Sequence, residues 1–433
     1  MGKTKFRIVA AAVMAGALAA TSLAACSGSD KDKASSDGTA GSGDAKSITF
    51  MVLGASQDAN DYLAKEAIPK FKEETGIDVT LQSSDWGSAF QKITTAAASK
   101  QMPDVMILGA IWTAPLAEKN ALLPLDDYVA NWAEKDQIFP KMLEDGQWKD
   151  KQYSMPFGGD LRAPIYRKDL LEKAGVDTAK LPTTWAELEA VAQKVKDANI
   201  CDSPIWWGID KSIGLQQGFA QLMLQNGANY WKEDGKANFN DKPGKEALEF
   251  LVSTFDKGLS DYNLVYSGNG PRPLVAGQAA IGLGGMVEFA NADENAPEVK
   301  ENLLVGPPIA GPSASEGSVA AWINKLAISK DSKNPDEAWK FIEFMLGKEA
   351  MSGFDKVYGQ LPARADLETE EWLGDPGKDL MEVAKNAQTQ PPHPGMMQFG
   401  KEITQLLEPA VRGTQSVDDT LVAIDAKLDS FKG

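Results

Sequence analysis

Apolar and polar positions follow two periods along most of this chain. SITFMVL (47–53) is a short apolar run with β-branched residues, the mark of a buried strand. In the next segment Leu63, Ala67 and Phe71 recur at i, i+4 and i+8, with Ala64 and Ile68 beside them, which predicts an amphipathic helix. Pro69 is expected to kink it and Gly76 to end it. IDVTLQ (77–82) predicts a second strand, Trp86, Phe90, Ile93 and Ala97 a second helical stripe, and DVMIL (104–108) a third strand. The order βαβαβ implies an α/β fold with a parallel sheet covered by helices on both faces.

The pattern restarts further on. Residues 153–175 read as irregular Gly- and Pro-rich chain, then a strand-like piece, then a helix ended by Gly175. Thr184 and Glu187 form a capping box ahead of a stripe made by Leu188, Val191, Ala192 and Val195. AAIGLGG (279–285) and NKLAISK (324–330) predict buried strands. Asn334 as N-cap, Pro335 in the first turn and Gly347 at the end bracket a helix whose stripe is Ala338, Phe341, Ile342 and Met345. Ser416 caps a last helix with Leu421, Ile424 and Leu428 on one face.

The first 46 residues depart from this pattern. Lys3, Lys5 and Arg7 precede an apolar, alanine-rich run that stops at Cys26, the composition of a secretory signal (1–25). Leu23-Ala24-Ala25-Cys26 resembles the bacterial lipobox, in which the cysteine receives a diacylglyceryl group and the leader is cut before it. Residues 27–46 are rich in Ser, Gly, Asp and Lys, as in a disordered tether with a reach of roughly 25 Å. Cys26 is therefore expected to anchor the protein on the outer face of a bacterial cytoplasmic membrane.

The formal charge of −17 becomes −20 without Lys3, Lys5 and Arg7, which speaks against nucleic acid as a partner. With Cys26 lipidated, Cys201 has no disulfide partner and reads as a packing residue. His393 is the only histidine, so a zinc site of the H-E-x-x-H type is impossible, and no G-x-S-x-G elbow, phosphate loop or metal cluster appears. No cofactor and no metal are expected, and residues 47–433 exceed one typical core, which suggests two domains.

FKEETGIDVTL, PDVMIL…LAEKNALLPLDDYV, YRKDLLEKAGVD…LPTTWAEL, LAISKDSKNPDEAWKFIEFML and YGQLPARADL resemble, in order and spacing, the extracellular solute-binding proteins of ABC importers. The closest resemblance is to the sugar-binding family that includes maltose-binding protein. It implies a two-lobe, type II periplasmic-binding-protein-like fold with a ligand cleft between the lobes. Three hinge segments are implied near 156–162, 306–311 and 359–362. Lobe one would hold 47–155 and 310–360, and lobe two 156–309 and 361–433. The implied protein is a monomer, not an enzyme, that captures a carbohydrate by lobe closure and passes it to permease subunits served by a separate ATPase.

Aromatic faces bind the C–H faces of a sugar, and carboxylates, arginine and amides bind its hydroxyls. Trp86 opens a helix and Trp112 follows the DVMIL strand, both at positions where the resemblance implies ligand contact, and Trp322 precedes the LAIS strand in a loop; all three are candidates for stacking. Asp160 and Arg162 match a polar position of the family at the first crossover. Trp206 and Trp207 are adjacent and should point to opposite sides if extended, so one of them can face the cleft; the sequence does not say which, and Trp206 stands as the candidate. Trp231, Glu288, Phe289, Arg364 and His393 complete the candidates, whereas Trp185 and Trp339 read as core. Val287 stands where the family commonly has Trp. Three other readings stay open: a lipoprotein glycosidase using Asp160 and Glu288 as its acid pair, a binder of a non-sugar solute such as a glycerol phosphate ester or a peptide, and an adhesion or sensor lipoprotein.

Overall fold

The computed structural model describes residues 46–210, 214–268 and 270–430. The leader, Cys26 and almost all of the tether lie outside these residues. The strands of the main sheet are β1 (Ser47–Leu53), β2 (Asp78–Ser84), β3 (Val105–Leu108), β4 (Met155–Arg167), β5 (Ser203–Trp206), β6 (Ala279–Gly284), β7 (Leu303–Val305), β8 (Val319–Ile328) and β9 (Ala387–Gln388). They form one sheet in the order β2-β1-β3-β8-β4-β6-β5, with β9 on β8 and β7 on β4. β1 is parallel to β2 and β3, as the βαβαβ pattern predicts. β8 runs antiparallel to β3 and to β4, and β4 antiparallel to β6.

The helices that matter for the site are α1 (Trp86–Ser99), α2 (Thr113–Glu118), α3 (Trp185–Asp197), α4 (Gly214–Gln225), α5 (Lys242–Asp256), α6 (Met286–Asn295), α7 (Pro335–Leu346), α8 (Lys348–Tyr358), α9 (Met396–Val411) and α10 (Val417–Asp429). The local signals hold. Thr184 and Glu187 make the reciprocal capping box, and the Ser416 side chain accepts from Asp419 N. Ala338, Phe341, Ile342 and Met345 are fully buried, and burial of each larger side chain is worth about 1.5–3 kcal/mol. Phe341 meets Phe50 and Phe71 edge-on at 5.0 and 5.1 Å.

Four expectations change. The run before Gly76 is not one regular α-helix; the turn Leu63–Ala67 is wound as a π-helix, and the α-helix resumes at Ile68 with Pro69 in its first turn, where its missing N–H costs least. Asn334 makes no side-chain cap; its Nδ2 donates to Ser47 O. The irregular-looking stretch at 155–162 is the first half of a thirteen-residue strand, β4. Trp322, expected in a loop, lies within β8, directly opposite Asp160 on β4.

The core falls into three apolar clusters. The first joins β1 and β3 to α7 and α8. The second gathers α3, α4, α5, α9 and α10 around the end of β4. The third lies on the other face of β4 and β8, built from Leu161, Ala163, Ile165, Ala321 and Ile323 with Trp206 and Phe289. Strands β4 and β8 contribute to all three, and their ladder shifts register between Asn324 and Lys325.

Candidate functional site

Two groups of side chains flank this long strand pair. Trp86 opens α1, where Asp85 caps the helix by accepting from Ser88 N at 2.8 Å. Its indole lies over Gly54 and Gly109; a Cβ at Gly54 would run into the ring, and one at Gly109 would come within 3.2 Å of it. Trp112 meets Trp86 edge-on at 5.7 Å and Phe90 at 6.0 Å. The loop carrying Trp112 is tied from below. Lys325, fully buried, donates to Ala110 O at 2.5 Å and pairs with Asp145. Trp86 is 38% exposed, so part of its ring faces solvent.

On the second side, Arg162 Nε donates to both Asp160 oxygens at 3.0 Å and Nη2 to Oδ2 at 2.6 Å. The guanidinium lies 5.7 Å from the centre of the Trp322 ring. Burial works against its charge, but the Asp160 carboxylate, with Glu288 and Asp210 also near, more than restores it and holds Arg162 charged. Glu288 is fully buried on α6, and Arg272 Nε donates to its Oε1 at 2.6 Å. Burial pushes the Glu288 carboxyl up from its usual range, with Arg272 and Arg162 pulling against it. Gly285 lets α6 approach this closely, since a Cβ there would strike Leu161 O.

The structure thus brings together Trp86 with Trp112, and Asp160 with Arg162, Trp322 and the Glu288 charge. Tyr358 links the two groups. Its hydroxyl donates to Leu53 O at 2.7 Å, interacts with Trp86 and feels the Asp160 charge. The other candidates sit differently. Trp206 and Trp207 do point apart, but both are buried, Trp206 beneath Arg272 and Trp207 donating to Thr254 Oγ1. Phe289 is core. Trp231 stacks on His393 at 3.8 Å. Arg364 is buried and clamped between Asp366, Glu134 and Leu346 O. Trp185 and Trp339 are buried, as expected.

Tyr358, Arg272, Tyr266 and Asp210 escaped the sequence reading. Tyr358 stands one residue before YGQLPARADL's first glycine, and an aromatic residue at a helix end was its only signal. Arg272 stacks on Trp206 and Tyr266, at 5.1 and 5.0 Å, and nothing in its spacing from Glu288 shows that. Cys201 has its thiol pushed up to about 11 by burial, which favours the neutral thiol at neutral pH. Among the described residues no group of His, Cys, Asp or Glu is arranged to hold a metal ion, and no helix is long and apolar enough to cross a membrane. A groove of about 470 Å³ lies elsewhere, between α3, α5 and Ala310–Pro312, and none of the candidate residues lines it.

An α/β sheet whose central strand pair runs through three cores, with rings and paired charges along it, defines a binding fold of the periplasmic-binding-protein type. The chain belongs to the bacterial extracellular solute-binding protein family, whose sequence pattern it matches over residues 54–352. It is a solute-binding protein and not an enzyme. The chain is similar to the diacetylchitobiose binding protein DasA of Streptomyces coelicolor, with 27% identity over 390 residues, 84% of each chain. In structure it resembles the sugar-binding protein MalE of Xanthomonas citri (TM-score 0.75, 24% identity, 89% of this chain and 96% of that one). A solute-binding protein of Thermotoga lettingae bound to α-D-tagatose superposes equally well (TM-score 0.75, 22% identity, 89% and 99%).

Proposed function

We propose that this protein captures a carbohydrate, most simply an oligosaccharide, and delivers it to the permease of an ABC importer. The observation that carries the reading is the pairing of a half-open tryptophan, Trp86 against Trp112, with the charged set Asp160, Arg162 and Trp322 across the strand pair. Rings take the apolar faces of the sugar, and Asp160 and Arg162 take its hydroxyls. The sugars named for relatives and structural neighbours support this class of ligand.

Closure of two lobes would bring the groups onto one ligand, which favours the closed form by its differential affinity. The three apolar clusters favour a division in which the second crossover lies within β8, at the shift between Asn324 and Lys325, rather than near 306–311. Lipid attachment at Cys26 would hold the protein at the outer face of the membrane. The glycosidase reading is disfavoured by Glu288, which is locked to Arg272, and by Asp160, which is bound by Arg162. A phosphate ester is disfavoured because Arg162 already has its counter-charge.

A thermal-shift screen against mono- and oligosaccharides tests the proposal. A sugar at 100 times its Kd should add about 2.7 kcal/mol of stability. No shift with any sugar, together with a shift from a phosphate ester or a polyamine, would replace the carbohydrate reading. Replacing Cys26 by Ala should release the protein from the membrane fraction; retention there would remove the anchor.

A further inference from the structure

Helix α4 is apolar nearly all round and buried along its length, yet it carries four glutamines. Gln225 is satisfied, its Oε1 accepting from Trp185 Nε1 at 2.9 Å. Gln221 is fully buried, and neither its Oε1 nor its Nε2 has a hydrogen-bond partner. A primary amide buried with donor and acceptor both unmatched is costly, and such groups are rare in folded proteins. Gln221 shares a face of α4 with Gly214, Gln217 and Gly218, at helical spacings of i, i+3, i+4 and i+7. That face lines a narrow cavity whose far walls are Arg162, Leu283 and Trp322. Gly218 lets the helix close on Trp207, whose Cβ would lie 3.3 Å from a Cβ at that position. The cavity measures about 10 Å³, room for one water-sized group.

We infer that this cavity is a subsite for a single ligand hydroxyl and that Gln221 is the residue that selects for it. The inference rests on the carbohydrate reading, and it adds a specificity rule to that reading. An amide presents one acceptor and donors side by side, and a hydroxyl offers the complementary donor and acceptor. A sugar stacked at Trp322 and held by Arg162 has its hydroxyl or hydroxymethyl groups at the mouth of the cavity. The space admits one oxygen and excludes a bulkier substituent such as an acetamido group at the same position. A site built to hydrogen-bond a hydroxyl rejects analogues lacking it, because its own buried groups then stay unpaired.

The test starts with calorimetric titration of the wild-type protein with maltose, mannobiose, diacetylchitobiose and tagatose, and the tightest of these is carried forward. Gln221→Met keeps the volume and removes the amide. It should weaken binding at least tenfold while its melting temperature stays level or rises. Single-deoxy forms of the same sugar should bind the wild-type protein at least tenfold less tightly at one hydroxyl only, and Gln221→Met should no longer distinguish that analogue from the parent. Affinity within twofold of wild type in Gln221→Met means that the amide serves the fold or a bound water, and the subsite is refuted while carbohydrate binding stands. If no sugar binds the wild-type protein, the carbohydrate reading falls and the subsite with it. Should Gln221→Met not fold, Gln221→Asn, which retracts the amide by one methylene, takes its place. If neither folds, the wild-type complex decides: a ligand hydroxyl within hydrogen-bonding distance of Gln221 supports the subsite, and its absence overturns it.

Discussion

Arg162 and Arg364 make the same ion pair on paper. Each clasps an aspartate two residues away, Asp160 or Asp366, through Nε and Nη2. They differ in everything else they touch. Arg364 spends Nη1 on Glu134 at 2.5 Å and on Leu346 O at 2.9 Å, so its guanidinium is consumed in joining the end of α7 to two loops. Arg162 has the Trp322 ring beside it and the charges of Glu288 and Asp210 around it, and among the described residues no acceptor takes its Nη1. A pair with its remaining donor closed off by backbone is a clamp. A pair with a donor, a ring and extra charge beside it is equipped to receive a solute.

The same contrast separates the tryptophans, and it yields the largest expected effect. Trp339 is buried against Tyr128, 5.2 Å away and stacked, and against Trp132. Trp339→Ala should cost about 3–5 kcal/mol of stability in denaturant melts, with sugar affinity unchanged in the fraction that folds. A normal melt would mean that Trp339 is not core. Arg364→Ala should come next, at roughly 2 kcal/mol, since it strands the Leu346 carbonyl and two carboxylates that are partly solvated. Trp322→Ala should leave the melt near wild type and weaken sugar binding about tenfold. The contrast fails if Trp322→Ala unfolds the protein and Arg364→Ala abolishes binding.

The smallest effect is one of pH. Burial raises the Asp355 carboxyl well above its ordinary value, opposed only by the bond from Gln360 Nε2 at 2.6 Å. A raised acid is neutral in the folded chain where the unfolded chain is already ionised. Its contribution is fully present below about pH 4 and is lost as pH rises toward the folded value. Asp355→Asn should therefore gain on wild type in melting temperature as pH increases from about 4. A difference independent of pH would show that Asp355 is ionised in the fold.

Periodicity and caps carried the architecture, because strand and helix periods and turn residues are local. The three strands of the first βαβαβ unit, the capping box at Thr184 and the α7 stripe follow from short windows of sequence. The long strand β4 did not, since Pro156, Gly158 and Gly159 read as irregular chain. Those glycines are compatible with a strand here because Gln360 fills the space above Gly158. That is a contact across some two hundred residues, and no local window holds it. The site divided in the same way. Trp86, Trp112, Asp160 and Arg162 were singled out by resemblance to family positions and Trp322 by its place before a predicted strand, and the structure brings Trp86 to Trp112 and Asp160 to Arg162 and Trp322. Arg364 was a candidate by residue type alone, and only its partners, Glu134 and Leu346, reveal a clamp. Gln221 was invisible, because a glutamine in an apolar helix gains meaning only from what it fails to bond.

The central claim is that ligand binds at the Asp160–Arg162 pair and not at its structural twin. Calorimetric titration of Asp160→Ala and Arg364→Ala with one sugar, the tightest for the wild-type protein, tests it most directly. The account predicts that Asp160→Ala loses at least tenfold in affinity, about 1.4 kcal/mol, with an unchanged melt, and that folded Arg364→Ala binds as the wild type does. Equal affinity of Asp160→Ala and wild type would contradict it.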